Sequence, residues 1–258
     1  MSFPESCIDF RFMDEKVDQH PELPGIGVGL RIALCSQIMS RTRRLEMPGA
    51  YYHIMNRGLA KQTIVFDHAD FDYFTKGLKE ISELYDVEIF AYCLMSNHYH
   101  LLIRTRIPNL SRAMRHFGHT FTQRVNLRVK RDGPLFRGRF KSLLVCDDSY
   151  LLQLVRYIHR NPVKAGIVER VRDYEWSSAL GYESPSFPVW LSRDEILSRF
   201  NSNRKSASKA YCEFVENESS GELEAFYSRQ RLGDRLTEER ILRAHENAIK
   251  EGRSLPGT

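Results

Sequence analysis

Apolar positions along the middle of the chain recur at two periods, and the alternation between those periods predicts an order of elements. Tyr51 to Met55 alternates in faces, as a strand does. From Asp67 to Tyr85, Phe71, Phe74, Leu78, Ile81 and Tyr85 return at helical spacing, and Asp67 can cap the start. Val87 to Met95 predicts a second strand. Met95-Ser96-Asn97 is a tight connection into a third, which begins at His98. Asn109 to Lys130 predicts a second helix, with Leu110, Met114, Phe117, Phe121 and Val125 inward and Arg112, Arg115, Arg124, Arg128 and Lys130 outward. After the turn at Asp132-Gly133-Pro134, a strand is expected over Leu135 to Cys146, with Arg137, Arg139 and Lys141 on one side and Phe136, Phe140 and Leu144 on the other. Ser149 to Pro162 then reads as an amphipathic helix with Leu151, Leu154, Val155 and Ile158 as its stripe, capped by Asp148 or Ser149 and ended by Pro162. Strand-helix-strand-strand-helix-strand is the ferredoxin-like pattern. The expected class is α+β, an antiparallel sheet with helices on one face.

The flanks read differently. Residues 1–46 are polar and then mildly apolar, without clear periodicity; acids rather than a basic stretch precede the apolar part, unlike a signal peptide. Residues 47–184 hold the periodic pattern, in which Trp176 is expected to plug an edge of the core. Residues 185–258 read as a helical C-terminal extension with twelve Lys/Arg against twelve Asp/Glu.

Charge sharpens this picture. Arg104 to Arg170 holds fifteen Lys/Arg and four Asp/Glu, an excess of eleven positive charges in a chain whose formal net charge is +5. A basic segment on an otherwise acidic chain points to a polyanion partner, and the aromatic residues within it suit single-stranded nucleic acid. Five scattered cysteines form neither a zinc ribbon nor a disulfide framework, which fits a reducing compartment. No apolar run approaches the roughly 20 residues that a membrane span needs.

The candidate chemistry lies in two places. On a strand, His98 and His100 share a face and Tyr99 takes the other, so two imidazoles could hold one metal ion. His53, on the first strand, would approach them if that strand pairs beside theirs. On the last helix Tyr157 and Asn161 are four residues apart and stack on one face, with Tyr150 a further seven residues back on the same face. His159 lies off that face and is expected to be exposed or in contact with nucleic acid. Arg57 could hold a phosphate or a carboxylate.

These blocks together resemble the HUH single-tyrosine transposases, specifically the REP-associated tyrosine transposase group. The resemblance runs from about Met47 to Tyr182. It rests on Pro48-Gly49-Ala50-Tyr51-Tyr52-His53 with Asn56-Arg57-Gly58, and on Tyr92-Cys93-Leu94-Met95-Ser96-Asn97-His98-Tyr99-His100-Leu101-Leu102. Gly138-Arg139-Phe140-Lys141, Tyr157-Ile158-His159-Arg160-Asn161-Pro162-Val163-Lys164-Ala165-Gly166 and Trp176-Ser177-Ser178 complete it. It implies Tyr157 as the nucleophile, with Tyr150 as backup, and His98, His100 and Asn161 as ligands of Mg²⁺ or Mn²⁺. It also implies metal-dependent nicking and strand transfer of single-stranded DNA hairpins at repetitive palindromic elements through a 5′-phosphotyrosine. DNA contacts would fall to Arg57, Arg112, Arg115, Arg124, Arg128, Arg137, Arg139 and Lys141. The relatives suggest a monomer, a dimer being the alternative, acting in the bacterial cytoplasm. Members typically start with a few basic residues before the Pro-Gly-Ala block, so Met39 is the expected start, with 1–38 an over-extended frame or a disordered leader. Two departures bear on DNA specificity: Asn126-Leu127-Arg128-Val129-Lys130-Arg131 stands where the family has Asn-Arg-Arg-x-Gly-Arg, and Phe121 where relatives often have tyrosine. A domesticated hairpin-binding protein with little catalysis, or a metal-dependent RNA-binding or RNA-cleaving protein, are the competing readings.

Overall fold

The computed structural model describes residue 44 and residues 46–145, 148–184 and 186–217. The leader and the chain beyond 217 lie outside the described residues. So do the side chains of 146–150, which include Tyr150.

Four strands, β1 (Ala50–Arg57), β2 (Val87–Leu94), β3 (His98–Thr105) and β4 (Lys141–Val145), form one sheet in the order β2-β3-β1-β4. Every neighbouring pair is antiparallel. Helix α1 (His68–Tyr85) joins β1 to β2, and α2 (Leu110–Arg128) joins β3 to β4. This is the ferredoxin-like arrangement expected from the periodicity. Asp67 caps α1 as predicted, its side chain accepting from the backbone N–H of Asp70.

α1 and α2 cover one face of the sheet. Tyr99 from β3 meets Phe74 and Phe117 edge-on, with ring centroids 5.3 and 5.8 Å apart, and Phe74 meets Phe117 and Phe121 at 5.0 and 5.6 Å. All four rings are buried. Such edge-to-face pairs add roughly 0.5–1.5 kcal/mol each beyond area burial. Gly77 allows the close approach of the two helices, since a Cβ there would come within 3.1 Å of the Phe117 ring.

The following helix, α3 (Asp148–Lys164), lies on the opposite face. It packs on β2, β3 and β4, and its Tyr157 ring meets histidines that point away from Tyr99. The helices therefore occupy both faces, two on the apolar side and the tyrosine helix on the other. α3 also runs through Pro162 rather than ending there. A helical proline forfeits only its own N–H bond and disturbs the turn before it, and Pro162 sits in the last turn. The end is set instead by Gly166, whose φ of +66° allows the N–H groups of Gly166 and Ile167 to bond back to Val163 and Pro162. Asn161 is accordingly buried in the helix, not frayed.

The last strand is shorter than the alternation suggests. Residues 135–140 are irregular, with only a bridge between Phe136 and Gly58, and the ladder with β1 begins at Lys141. Arg137 and Arg139 thus stand in a loop, not on one strand face with Lys141.

Beyond α3 the chain runs along the outer edge of β2. Ser178 N–H bonds Tyr92 O, Leu94 N–H bonds Trp176 O, and Trp176 stacks on Phe71 at 3.9 Å. Short helices α4 (Ala179–Glu183) and α5 (Arg193–Ser198) lead to α6 (Arg204–Glu216), which packs on α3. On the sheet side, Arg104 bonds both Glu88 of β2 and Glu195 of α5, and Tyr51 donates to Glu195.

Candidate active site

The histidines converge because of strand register. β1 pairs with β3 so that Met55 stands opposite His100, His53 opposite Leu102 and Arg57 opposite His98. Antiparallel partners share a face, so His53, His98 and His100 all point toward α3. His53 Nε2 lies 3.0 Å from His100 Nδ1, and the two rings stack at 5.2 Å. The His98 ring meets that of His100 edge-on at 5.3 Å.

Tyr157 descends on this group from α3. Its ring is edge-on to His100 at 5.4 Å and to His53 at 5.9 Å. One turn further, Asn161 Nδ2 donates to Tyr157 O at 2.9 Å, and its Oδ1 makes no hydrogen bond among the described residues. Tyr157 is 9% exposed and Asn161 3%, so the tyrosine sits at the rim of the site and the amide inside it.

Burial sets the protonation states. It lowers His53 to about 3 and, with the nearby Arg57 charge adding to it, His98 to about 4. His100 is pushed well below its usual value, first by burial and then by the neighbouring His53 and His98. All three imidazoles are neutral at neutral pH, the form that offers a lone pair to a metal. His98 Nδ1 lies 2.6 Å from Asn97 Oδ1, an atom that only accepts, so Nδ1 carries the proton and Nε2 the lone pair. Among the described residues, no group of three or more His, Cys, Asp and Glu is arranged to hold a metal ion.

The cations expected to meet DNA divide into three sets. Arg57 and Lys141 flank the histidine face, opposite His98 and Met55 in register, with Arg137 and the exposed Arg139 in the loop beside them. Arg112, Arg115 and Arg124 are exposed on α2, a helix on the other side of the sheet. Arg124 lies over the Tyr73 ring at 5.4 Å, beside an open groove of about 850 Å³ lined in part by Thr120, Asn126 and Lys130. Arg128 departs from expectation. Its guanidinium bonds both carboxylate oxygens of buried Asp70 and, at 2.6 Å, that of Asp67. It ties α2 to the start of α1 and is engaged within the protein.

His159 also departs. It is fully buried, with Nε2 2.6 Å from Ser178 Oγ and Nδ1 2.6 Å from the Tyr211 hydroxyl. Being off the Tyr157 face placed it under α6, a cover that helical spacing cannot reveal. Tyr150 belongs to the first turn of α3, and its side chain lies outside the described residues. His53, whose only signal in the sequence is a polar residue inside an apolar alternation, joins the site through strand register, and Asn97 fixes the tautomer of His98.

No helix among the described residues is long and apolar enough to cross a membrane. Residues 46–161 match the family described as Transposase IS200 like. A putative REP-associated tyrosine transposase from Haemophilus influenzae is 31% identical over 116 residues, which is 41% of this chain and 66% of that protein. Among solved structures, a REP-associated tyrosine transposase bound to a REP hairpin is similar at 20% identity with a TM-score of 0.47, over 54% of this chain and 82% of that one. A putative transposase from Deinococcus radiodurans is similar at 16% identity with a TM-score of 0.34, over 47% of this chain and 97% of that one. The matched stretch runs from the strand-leading Glu46 to Asn161 of the tyrosine helix and takes in the whole sheet and the histidine–tyrosine site, and over it this chain is similar to the IS200-like transposases and to a REP-associated tyrosine transposase.

Proposed function

We propose that the protein nicks single-stranded DNA at repetitive palindromic hairpins and transfers the strand through a 5′-phosphotyrosine on Tyr157. The observation that carries this reading is the Tyr157 ring over the His53–His100 pair, within one chain.

The donor set suits a divalent ion. His98 has Nδ1 engaged by Asn97, which leaves Nε2 for a ligand bond. His100 has Nδ1 against His53, so with that proton on Nδ1 its Nε2 is likewise open. Asn161 has Nδ2 engaged by Tyr157 O and Oδ1 to offer. Two imidazoles and one amide oxygen fit Mg²⁺ or, with its greater tolerance of nitrogen, Mn²⁺. Bound there, the ion would act as a Lewis acid on the scissile phosphate.

The chain's own groups do the rest. The Tyr157 hydroxyl gives up its proton as its oxygen attacks phosphorus, the O–P bond to tyrosine forms, the bond to the 3′ oxygen breaks, and that oxygen takes up one proton and leaves as the 3′ hydroxyl. The bond energy stays in the phosphotyrosine, so a 3′ hydroxyl can reverse the step without a nucleotide cofactor. Arg57, Arg137, Arg139 and Lys141, on the histidine side, would neutralise backbone phosphates near the cut, whereas Arg112, Arg115 and Arg124 would hold a more distant part of the hairpin. The proposed working form is a monomer, a dimer being the alternative, acting on DNA in the cytoplasm.

The test is a covalent-trapping gel with labelled single-stranded hairpins and Mn²⁺ or Mg²⁺. A denaturant-resistant adduct is expected for the wild type and not for Tyr157→Phe or His100→Ala. Survival of the adduct in Tyr157→Phe would transfer the nucleophile to Tyr150. Hairpin binding without an adduct under any metal would favour a hairpin-binding protein.

A further inference from the structure

The tyrosine helix is enclosed on two sides. From Leu154 to Pro162 every residue but Arg160 is buried, far more than one amphipathic stripe requires. One side meets the histidine face of the sheet. The other meets α6 and the segment at Ser178, through polar contacts at three successive outward positions.

His159 is the centre of this second side. Two residues from Tyr157, it points about 200° away around the helix. The Tyr211 hydroxyl has no other partner among the described residues and is buried, so its proton goes to His159 Nδ1. The imidazole then carries its own proton on Nε2 and donates to Ser178 Oγ. Ser178 Oγ in turn accepts the Tyr92 N–H at 2.8 Å and can pass its proton to Tyr92 O at 3.3 Å. An uninterrupted line of hydrogen bonds therefore runs from α6 through the tyrosine helix to strand β2. On either side of His159, Arg160 donates to the carbonyls of Val215 and Glu216 at the end of α6, and the Arg156 guanidinium lies 3.6 Å over the Phe214 ring. A slide or rotation of α3 by one residue would break all three contacts.

We propose that α6 is a positioning element for Tyr157: through Tyr211, His159 and Ser178 it sets the rotation and height of the tyrosine helix over the histidines. This assigns a role to the described part of the C-terminal extension, and it rests on the reading of Tyr157 as nucleophile. Tyr211 and His159 touch no reacting atom; they act through the helix.

The test compares Tyr211→Phe, which removes one hydroxyl and keeps the ring, with Tyr174→Phe, which removes a buried hydroxyl that is bonded to Leu94 O and not to the tyrosine helix. In the full-length protein, adduct formation at saturating hairpin is expected to slow by about tenfold or more in Tyr211→Phe, with half-saturation changed less than about twofold, because small misplacements of a nucleophile cost rate rather than binding. Tyr174→Phe should leave both unchanged. A second readout needs no catalysis: 3-fluorotyrosine placed at position 157 alone should give a shifted or split fluorine signal in Tyr211→Phe and an unaltered one in Tyr174→Phe. Arg160→Gln serves as an independent disruption if Tyr211→Phe folds poorly. An unchanged fluorine signal in both disruptions, or equal slowing by the two tyrosine variants, would overturn the proposal. A changed signal in a wild-type background that forms no adduct would instead uphold the positioning and sink the nucleophile.

Discussion

The two faces of the sheet are buried to a similar depth but by different chemistry. On one, Phe74, Tyr99, Phe117, Phe121 and Phe136 interlock beneath α1 and α2, and the aromatic contacts need no particular protonation state or donor direction. On the other, His53, His98 and His100 lie beneath α3, buried to 9% exposure or less and held neutral against their usual tendency. A fold gains most by burying carbon and loses by burying groups that water would charge. The second face is therefore the costly one. Its cost is offset by hydrogen bonds to Asn97 and between the imidazoles, and it ends in neutral nitrogens beside one tyrosine. The contrast teaches where function sits: on the face whose composition stability alone would not choose.

The largest effect of a single substitution expected to separate the faces is Phe74→Ala, which empties a fully buried ring site. It should cost about 3–5 kcal/mol, read as a lower urea midpoint at an unchanged slope. A loss below about 1 kcal/mol would mean that the apolar face is not the foundation described here.

Acid should attack the other face. His53 and His98 on that face, and His159 behind the tyrosine helix, have folded values below the ordinary 6.5, so the folded protein binds fewer protons than the unfolded chain between about 4 and 6.5. Their contribution is intact above that window and is lost as pH falls through it, at about 1.4 kcal/mol per histidine per pH unit. Melting temperature of metal-free protein should therefore drop steeply below pH 6.5. A flat profile down to pH 4.5 would show that these histidines are not buried neutral.

His100→Ala comes next. It removes a polar group and leaves His53 Nε2 without that neighbour, a cost of about 1–3 kcal/mol. It should abolish adduct formation while costing less stability than Phe74→Ala; the reverse order of stabilities would dissolve the comparison.

The smallest effects lie with the cations. Arg139→Gln should leave stability within about 0.5 kcal/mol and lower the salt slope of hairpin binding by about one. Arg128→Gln should do the opposite, lowering stability through Asp67 and Asp70 with hairpin binding unaltered. Equal effects of the two on binding would return Arg128 to the DNA surface.

What the chain's own sequence determined is what spacing along one dimension can carry. Periods of two and of three to four placed the first three strands, α1 and α2 within a residue or two, assigned Phe74, Phe117 and Phe121 to the core, and set His98 with His100 and Tyr157 with Asn161, because side-chain direction repeats with backbone geometry. Tertiary structure decided whatever depends on the group opposite. His53 joins the site only because β1 pairs with β3 in one register. Arg128 is engaged because α1 brings two carboxylates to it. The ladder at Arg137 and Arg139 fails because residues 135–140 leave the sheet. His159 is the clearest case. A polar residue off the apolar stripe of a helix looks exposed, and only the arrival of Ser178 and Tyr211, 19 and 52 residues further along, makes its burial affordable by giving both ring nitrogens a partner.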